Sequence, residues 1–217
     1  MHTQAVEDYL KAIYKLAERE GKVTTSLLAE FLDVTPASAT GMLKKLKQMN
    51  LAVYQPYKGV SLTEAGQKIA LEVIRHHRLV ELYLAEALNV PWDKVHEEAE
   101  KWEHVLSEDL EDRIDAILGH PTADPHGAPI PNRDGTVAMS ALSPLTDLEA
   151  GQTGIITEVS DHDSALLRYL GEMNLYPETE FTVLDVAPFN GPITIRSENS
   201  EKILGSEVAG YIFVRIT

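Results

Sequence analysis

Apolar positions in the first part of the chain recur with helical spacing in three segments. Residues 4–19 predict a first helix that ends at Gly21, because their large apolar side chains follow a 3.6-residue period. A shorter helix is predicted over 25–32, after a cluster of hydroxyl side chains. A third is predicted over 35–49, where Thr-Pro supplies a cap and a proline at the first helical position. Two helices joined by a short turn are typical of a helix-turn-helix.

The pattern then changes to two short strand-like runs, 51–55 and 59–63, joined by Pro56-Tyr57-Lys58-Gly59. Such a pair predicts a β-hairpin. A hairpin directly after a helix-turn-helix is typical of the wing of a winged-helix domain. We therefore predict a DNA-binding domain over 1–62, whose third helix enters the major groove.

Two further helices with broad apolar faces are predicted over 63–88 and about 91–118. Their apolar faces exceed what a single small domain needs. Because helix-turn-helix proteins usually bind two half-sites, a helical dimerisation domain over 63–120 and a homodimer are expected.

The remaining chain is predicted to be a tether followed by a small β-barrel. Residues 121–144 are rich in Pro, Gly and Asp and lack periodicity, which indicates a linking segment. Residues 145–217 carry short strand-like runs around one helical stretch, 164–173. The predicted fold class is mainly α with a small β part.

Charge is distributed unevenly along the chain, whose net charge is −15. The first 62 residues carry eight Lys or Arg and six Asp or Glu, a balance of +2, so the acidity lies in the rest. This asymmetry favours a DNA-facing end joined to an acidic part. A surplus of carboxylates also confers solubility, and this simpler explanation accounts for many of the acidic residues in the C-terminal part.

Cysteine is absent, which excludes disulfides and thiolate metal sites. The sequence has no run of 18 apolar residues, so no membrane span is predicted, and the N-terminus lacks a signal-peptide pattern. A cytoplasmic protein without membrane contact or a small organic cofactor is therefore expected.

Histidine and carboxylate positions carry the candidate chemistry. His77 and Glu81 are four residues apart on the first of the two long helices, so they share a face. The next predicted helix repeats this arrangement along one stripe: His96, Glu100, Glu103 and His104. A solvated charged face would explain one such pair, but six ligand-type residues favour a metal site. Carboxylates and imidazoles without thiolate suit Mn²⁺ and Fe²⁺, while Zn²⁺ and Ni²⁺ would also bind.

A metallohydrolase on a helical scaffold is the alternative from a different class. The HExxH motif fails, because Glu100 stands where the second histidine would be needed after His96. Ser107 near His104 lacks the support of a catalytic triad. The sequence has no Gly-rich phosphate loop and no Gly-x-Ser-x-Gly elbow, so no enzyme is expected.

Several motifs together resemble the diphtheria-toxin-repressor family of metal-dependent transcriptional regulators. They are VEDYLKAIYKL, VTPASATGMLKKL, GVSLTEAG, IRHHRLVE, KVHEEAEKWEHVLS and DPHGAPIP. The resemblance spans essentially the whole chain. It implies a winged helix, a helical dimerisation domain and, over 145–217, an SH3-like barrel similar to ferrous-transport accessory proteins.

The resemblance also implies a primary metal site made by Asp8, Glu100, Glu103 and His104, with the carbonyl of Glu100. Iron-responsive members have Met and Cys at the positions of Asp8 and Glu100, whereas manganese-responsive members have Asp and Glu. Oxygen in place of sulfur favours Mn²⁺, with Fe²⁺ as the alternative.

An ancillary site is implied at His77, Glu81 and His96, to which the barrel adds side chains in three-domain members. The candidate ligands in the barrel are Asp161, His162 and Asp163. Two-domain manganese regulators have a Glu where this chain has Lys11, and an ammonium cannot ligate a metal. Two separate sites per chain are therefore expected instead of a paired-ion centre.

The implied function is a Mn²⁺-dependent repressor that binds palindromic double-stranded operator DNA as a dimer and controls metal-uptake genes. An activator remains an alternative. Hydroxyl and basic side chains of the third helix and the wing are the expected DNA contacts. They are Thr35, Ser38, Thr40, Lys44, Lys45 and Lys58.

Overall fold

The structure is a computed structural model that describes residues 2–55, 58–138 and 141–217. Pro56 and Tyr57 of the predicted wing, and two residues of the predicted tether, lie outside the described residues. The helices are α1 Gln4–Glu20, α2 Thr25–Phe31, α3 Pro36–Gln48, α4 Glu64–Leu88, α5 Val95–Trp102, α6 Glu108–Ile117, α7 Ser164–Glu172 and α8 Ser206–Ala209. The strands are β1 Ala52–Gln55, β2 Gly59–Leu62, β3 Ser143–Pro144, β4 Thr153–Val159, β5 Glu180–Val186, β6 Ile193–Ser197, β7 Ser200–Leu204 and β8 Ile212–Ile216.

The chain divides into two compact units that are not continuous in sequence. The first unit combines Met1–His77, Trp102–Leu106 and Pro131–Thr136. The second combines Arg78–Lys101, Ser107–Ile130 and Val137–Thr217. The divisions fall inside α4 and α5, so each of these helices supplies side chains to both units.

The first unit contains the predicted helix-turn-helix and wing. The hydroxyl of Thr24 accepts a hydrogen bond from Leu27 N at the start of α2, and Thr35 accepts one from Ser38 N at the start of α3. β1 and β2 pair antiparallel, with Ala52 opposite Leu62. The core is formed by fully buried side chains of α1, α2 and α3: Leu10, Ile13, Leu28, Leu43 and Leu46. The predicted winged helix is confirmed.

The start of α4 is packed closely against the chain that precedes β1. Thr63 caps α4, because its hydroxyl accepts a hydrogen bond from Gly66 N at 3.1 Å. A Cβ at Gly66 would lie 2.0 Å from the carbonyl oxygen of Leu51. Only glycine therefore allows the long helix to begin at this distance from the Leu51 backbone.

The second long helix predicted over 91–118 is wrong. The structure divides this segment into α5 and α6, with a turn between them. Ser107 begins α6 by accepting a hydrogen bond from Leu110 N, and three acidic residues follow in the first turn. This cap and these charges near the helix N-terminus favour a new start over a continuous helix.

The C-terminal part of the second unit is a six-stranded antiparallel sheet in the order β3-β8-β4-β5-β6-β7. Its core is formed by apolar residues of the strands and of α7: Ile156, Leu167, Leu170, Ile195, Leu204 and Ile212. β7 was not predicted. The two turn residues before it, Glu198 and Asn199, have φ values of 50° and 63°, and this tight turn lacks the glycine that usually marks it.

Residues 121–130 pack within the second unit instead of crossing open solvent. Val159 N of β4 donates to the carbonyl of His126 at 2.9 Å. Gly127 has a φ of +90°, and a Cβ there would lie 1.9 Å from the carbonyl oxygen of Thr157. The linking role of the whole segment stays a prediction, but its first ten residues are ordered by contact with β4.

No helix among the described residues is long and apolar enough to cross a membrane.

Candidate metal centre

A carboxylate–histidine cluster lies inside the first unit. Asp8 projects from α1, while Glu103 and His104 lie in the turn after α5. Each of the three offers a ligand atom, and these atoms lie within 4.8 Å of one another. The predicted single stripe is wrong, because α5 ends at Trp102 and a turn carries the last two residues. The turn, not helical spacing, brings Glu103 and His104 to Asp8.

Glu103 is the most enclosed member of the cluster. Its side chain is 0% exposed, and both carboxylate oxygens accept hydrogen bonds from the Lys11 ammonium, at 2.7 and 2.8 Å. The His77 ring also bonds this carboxylate, and His76 Nδ1 donates to the Glu103 carbonyl at 3.1 Å. Burial alone would raise the pKa of Glu103, but the His77 hydrogen bond and the Lys11 charge outweigh it and lower the pKa. Glu103 is therefore held as a carboxylate.

The His104 ring lies between two consecutive carboxylates of α1. Nδ1 is 2.7 Å from Glu7 Oε2, and Nε2 is 2.8 Å from Asp8 Oδ1. Nε2 also lies 3.2 Å from Glu103 Oε1. Among the described residues this buried Nε2 makes no hydrogen bond. A ring nitrogen that faces two carboxylate oxygens in this way fits a cation, so the donor set is suitable for a divalent ion.

Two predicted ligands belong to a different unit from the other members of their expected sets. Glu100 belongs to the second unit, where its Oε1 lies 3.7 Å from His96 Nε2. His77, expected in the ancillary set, belongs to the first unit and bonds Glu103. The assignment of both residues stays a prediction.

A second cluster lies within the second unit around Glu81. His96 Nδ1 is 3.1 Å from Glu81 Oε1 and 3.5 Å from Asp161 Oδ2. The Glu81 side chain is 0% exposed. Because Asp161 follows β4, the sheet domain contributes a carboxylate to a cluster otherwise supplied by α4 and α5.

The other two candidates in the sheet domain have different contacts. His162 Nδ1 is 2.8 Å from Ser160 Oγ, and its ring lies against Tyr211 at a centroid distance of 4.5 Å. Asp163 caps α7 by accepting a hydrogen bond from Ala165 N at 2.7 Å. Of these three candidates, Asp161 is the one with a described contact in the Glu81 cluster.

Asp124 and His126 are candidate ligands that the sequence analysis missed. With Glu81 they offer three buried ligand atoms within 4.8 Å of one another. Burial and the neighbouring Glu81 carboxylate raise the pKa of Asp124 to about 7, although His126 and Arg78 oppose this. A positive charge placed between the two buried carboxyl groups would favour their ionised forms.

The orientation of His126 supports ligation at one nitrogen. Nε2 donates to the Trp92 carbonyl at 2.8 Å, so Nδ1 carries the lone pair. Nδ1 lies 3.9 Å from Glu81 Oε2 and makes no hydrogen bond within the described ranges. Metal-ligating histidines commonly donate the opposite N–H to a carbonyl in this way. The motif DPHGAPIP contained both residues, but its lack of periodicity indicated only a tether.

All but one of the predicted DNA contacts are exposed in the first unit. Ala39, Leu43 and Leu46 of α3 face the core. Thr40 is half-buried, and its hydroxyl donates to the Pro36 carbonyl at 2.8 Å. The remaining candidates are exposed: Thr35, Ser38, Lys44, Lys45 and Lys58.

Three family models match successive parts of the chain. Residues 1–60 match "Iron dependent repressor, N-terminal DNA binding domain", residues 63–132 match "Iron dependent repressor, metal binding and dimerisation domain", and residues 143–216 match "FeoA domain". The iron-dependent repressor IdeR of Mycobacterium leprae is 30% identical over 215 residues, which cover 94% of this chain and 93% of the relative. The chain belongs to the iron-dependent repressor family.

Other similar proteins include a second transcriptional regulator and two solved structures, one of which is named a manganese-dependent repressor. The regulator MntR of Oceanobacillus iheyensis is 37% identical over 120 residues, covering 55% of this chain and 81% of that protein. A solved manganese-dependent transcriptional repressor in complex with manganese aligns with a TM-score of 0.92 and 36% identity, covering 98% of this chain and all of that one. A solved structure of ScaR with bound Cd²⁺ aligns with a TM-score of 0.82 and 31% identity, covering 97% and 98%.

Family membership confirms the expected architecture of DNA-binding domain, helical dimerisation domain and SH3-like C-terminal domain. It also confirms that the chain is a metal-dependent transcriptional repressor and not an enzyme, so the metallohydrolase alternative is set aside.

Proposed function

We propose that this repressor responds to Mn²⁺, binds palindromic operator DNA as a homodimer and controls metal-uptake genes. The observation that carries the proposal is the sulfur-free ligand set of the first unit, Asp8, Glu103 and His104. Mn²⁺ prefers hard oxygen donors with an imidazole to a ligand set that contains the soft sulfur of Met or Cys. Glu100 completes the proposed primary set from its position in the motif.

The proposed switch depends on which elements carry the ligands. Asp8 belongs to α1, whose buried face packs in the same core as the DNA-binding helix α3. Glu103 and His104 lie in the turn after α5, within residues 63–132, which match the metal binding and dimerisation model. A bound divalent cation would supply the positive charge that two carboxylates and a ring lone pair lack. Through Asp8 the ion would hold α1, and with it α3, in one orientation relative to the turn after α5. A few kcal/mol of differential affinity of the metal for the two states would suffice for a large population shift.

A second ion is proposed in the second unit, around Glu81. Its fully buried carboxylate lies beside His96 and Asp161 on one side and beside Asp124 and His126 on the other. The second ion would therefore join the helices to the sheet domain. Together with the primary set this gives two ions per chain.

Binding-site selection tests the DNA-binding part of the proposal. Random-sequence duplexes are selected in Mn²⁺, and binding of the recovered sequence is measured by fluorescence anisotropy in Mn²⁺, anaerobic Fe²⁺, Co²⁺, Zn²⁺ and EDTA. We expect a palindromic consensus and binding at least a hundredfold tighter in Mn²⁺ than in EDTA. Equal binding in EDTA would contradict the metal switch.

Fe²⁺ is the second candidate ion, because the relative from Mycobacterium leprae, which aligns over 94% of this chain, is named an iron-dependent repressor. The double variant Asp8→Met/Glu100→Cys tests the choice, since it exchanges two oxygen donors for sulfur. We expect its DNA binding to respond to Fe²⁺ more than to Mn²⁺. The matched control Glu18→Met/Glu97→Cys makes the same changes at exposed positions of the same helices and should leave the response unchanged. An unchanged response of the first variant would show that the primary set is misassigned.

A further inference from the structure

We propose that Glu7 is a positioning residue that fixes the tautomer and orientation of His104, so that Nε2 faces the ligand set. This inference rests on the proposed metal switch. Glu7 Oε2 lies 2.7 Å from His104 Nδ1, and the two side chains are 17% and 6% exposed. A largely buried, charge-assisted hydrogen bond of this length is among the stronger kinds.

The chemistry of the pair determines which ring nitrogen can ligate. A neutral imidazole has one N–H and one lone pair, and a carboxylate can only accept. The contact between Nδ1 and Glu7 has hydrogen-bond geometry, whereas the buried Nε2 makes no hydrogen bond among the described residues. Nδ1 therefore carries the proton toward Glu7, and Nε2 keeps the lone pair. Nε2 is the atom that lies 2.8 Å from Asp8 Oδ1 and 3.2 Å from Glu103 Oε1. The Glu7 contact thus prepares the nitrogen that the ion needs.

The placement of Glu7 follows from its position next to Asp8 on α1. Successive helical side chains diverge by about 100°, so the two carboxylates approach the imidazole from different sides. Glu7 meets Nδ1 and Asp8 meets Nε2. Glu7 is not a member of the cluster formed by Asp8, Glu103 and His104, and it acts on the ion through His104. Carboxylate–histidine–metal arrangements of this kind raise the basicity of the ligating nitrogen.

Glu7→Gln and Glu7→Leu separate this role from a structural one. Glutamine retains a carbonyl oxygen that can accept from Nδ1, whereas leucine cannot accept. The control pair Glu18→Gln and Glu18→Leu makes the same changes at an exposed position of α1. Circular dichroism verifies that each variant is folded before its metal binding is compared.

The first readout is the tautomer of His104, recorded by long-range ¹H–¹⁵N NMR of the histidine rings at pH 8 in chelator. We expect protonated Nδ1 in the parent protein and in Glu7→Gln, and a mixture of tautomers in Glu7→Leu. This readout involves no metal, so it can fail independently of the proposed function. Protonated Nε2 in the parent protein, or an unchanged tautomer in Glu7→Leu, would overturn the inference.

The second readout is the Mn²⁺ dissociation constant, measured by calorimetry at fixed pH. Loss of such an outer partner weakens metal binding by about 10–100-fold, and we expect this for Glu7→Leu with substantial recovery in Glu7→Gln. A Glu7→Leu protein that changes tautomer yet binds Mn²⁺ as tightly as the parent would refute the positioning role. Absence of Mn²⁺ binding in the parent itself would instead refute the proposed function.

Discussion

The ion pair between Lys11 and Glu103 permits a quantitative prediction about the metal-free protein. The ammonium contacts both oxygens of the carboxylate, and the two side chains are 9% and 0% exposed. Lys11→Met removes the positive charge and keeps an unbranched side chain of similar length. Glu103 is then left buried as a carboxylate with fewer partners.

The expected cost follows from that burial. Removing one partner of a buried ion pair destabilises a protein by about 3–5 kcal/mol, because the remaining charge stays desolvated. His77 still bonds Glu103, so the lower end of this range applies. A loss of about 3 kcal/mol corresponds to a decrease of roughly 6–12 °C in Tm for a protein of this size.

The measurement is thermal unfolding by circular dichroism in chelator, repeated in saturating Mn²⁺. Lys68→Met is the matched control, since it makes the same change at an exposed position of α4 and should alter Tm little. Lys11→Met/Glu103→Gln should be more stable than Lys11→Met, because no buried charge is then left over. Mn²⁺ should reduce the difference between Lys11→Met and the parent. A Tm for Lys11→Met equal to that of Lys68→Met would refute the reasoning.

Three further predictions concern other parts of the chain. Gly127→Ala should lower the free energy of unfolding in urea by well over the roughly 1–2 kcal/mol of positive-φ strain, because the added Cβ would lie 1.9 Å from the Thr157 carbonyl oxygen. Gly119→Ala is the control, since Gly119 also has a positive φ but no atom within 4 Å of the added Cβ. It should lower the free energy of unfolding only by the strain. The raised pKa of Asp124, about 7, means that its contribution to metal-free stability is present below about pH 4 and is lost as the pH rises to 7. Asp124→Asn should lack this loss in unfolding curves measured from pH 4 to 7.5, and equal pH dependence in both proteins would contradict the assignment. Lys44→Ala should reduce the slope of log K against log salt for DNA binding by about one if Lys44 contacts a phosphate; an unchanged slope would exclude that contact.

The sequence by itself determined the elements whose periodicity is local. The helices of the winged domain and most strands of the sheet domain were predicted, because apolar spacing and cap residues act over a few positions. Asp8 and the motif around Glu100 indicated the chemistry of the site, since ligand type is a property of the residues themselves.

Only the tertiary structure decided which of these residues meet. Glu103 and His104 lie in a turn because α5 ends at Trp102 and Ser107 begins a new helix. The helical spacing of the carboxylates instead predicted one continuous helix. Asp124 and His126 became ligand candidates because residues 121–130 pack along β4, a strand that follows them by about thirty residues in the sequence. Contacts across such separations depend on how elements pack, and residue spacing along one element carries no information about them.

Glu7 and Asp8 of α1 also show the difference between what the sequence determines and what the tertiary structure decides. The adjacent acidic residues Glu7 and Asp8 look equivalent in the sequence, as two carboxylates in the first turns of one helix. In the folded chain one faces Nδ1 of His104 and the other faces Nε2. The residue type fixed what each carboxylate can do, and the position of a ring 97 residues away decided which nitrogen each one contacts.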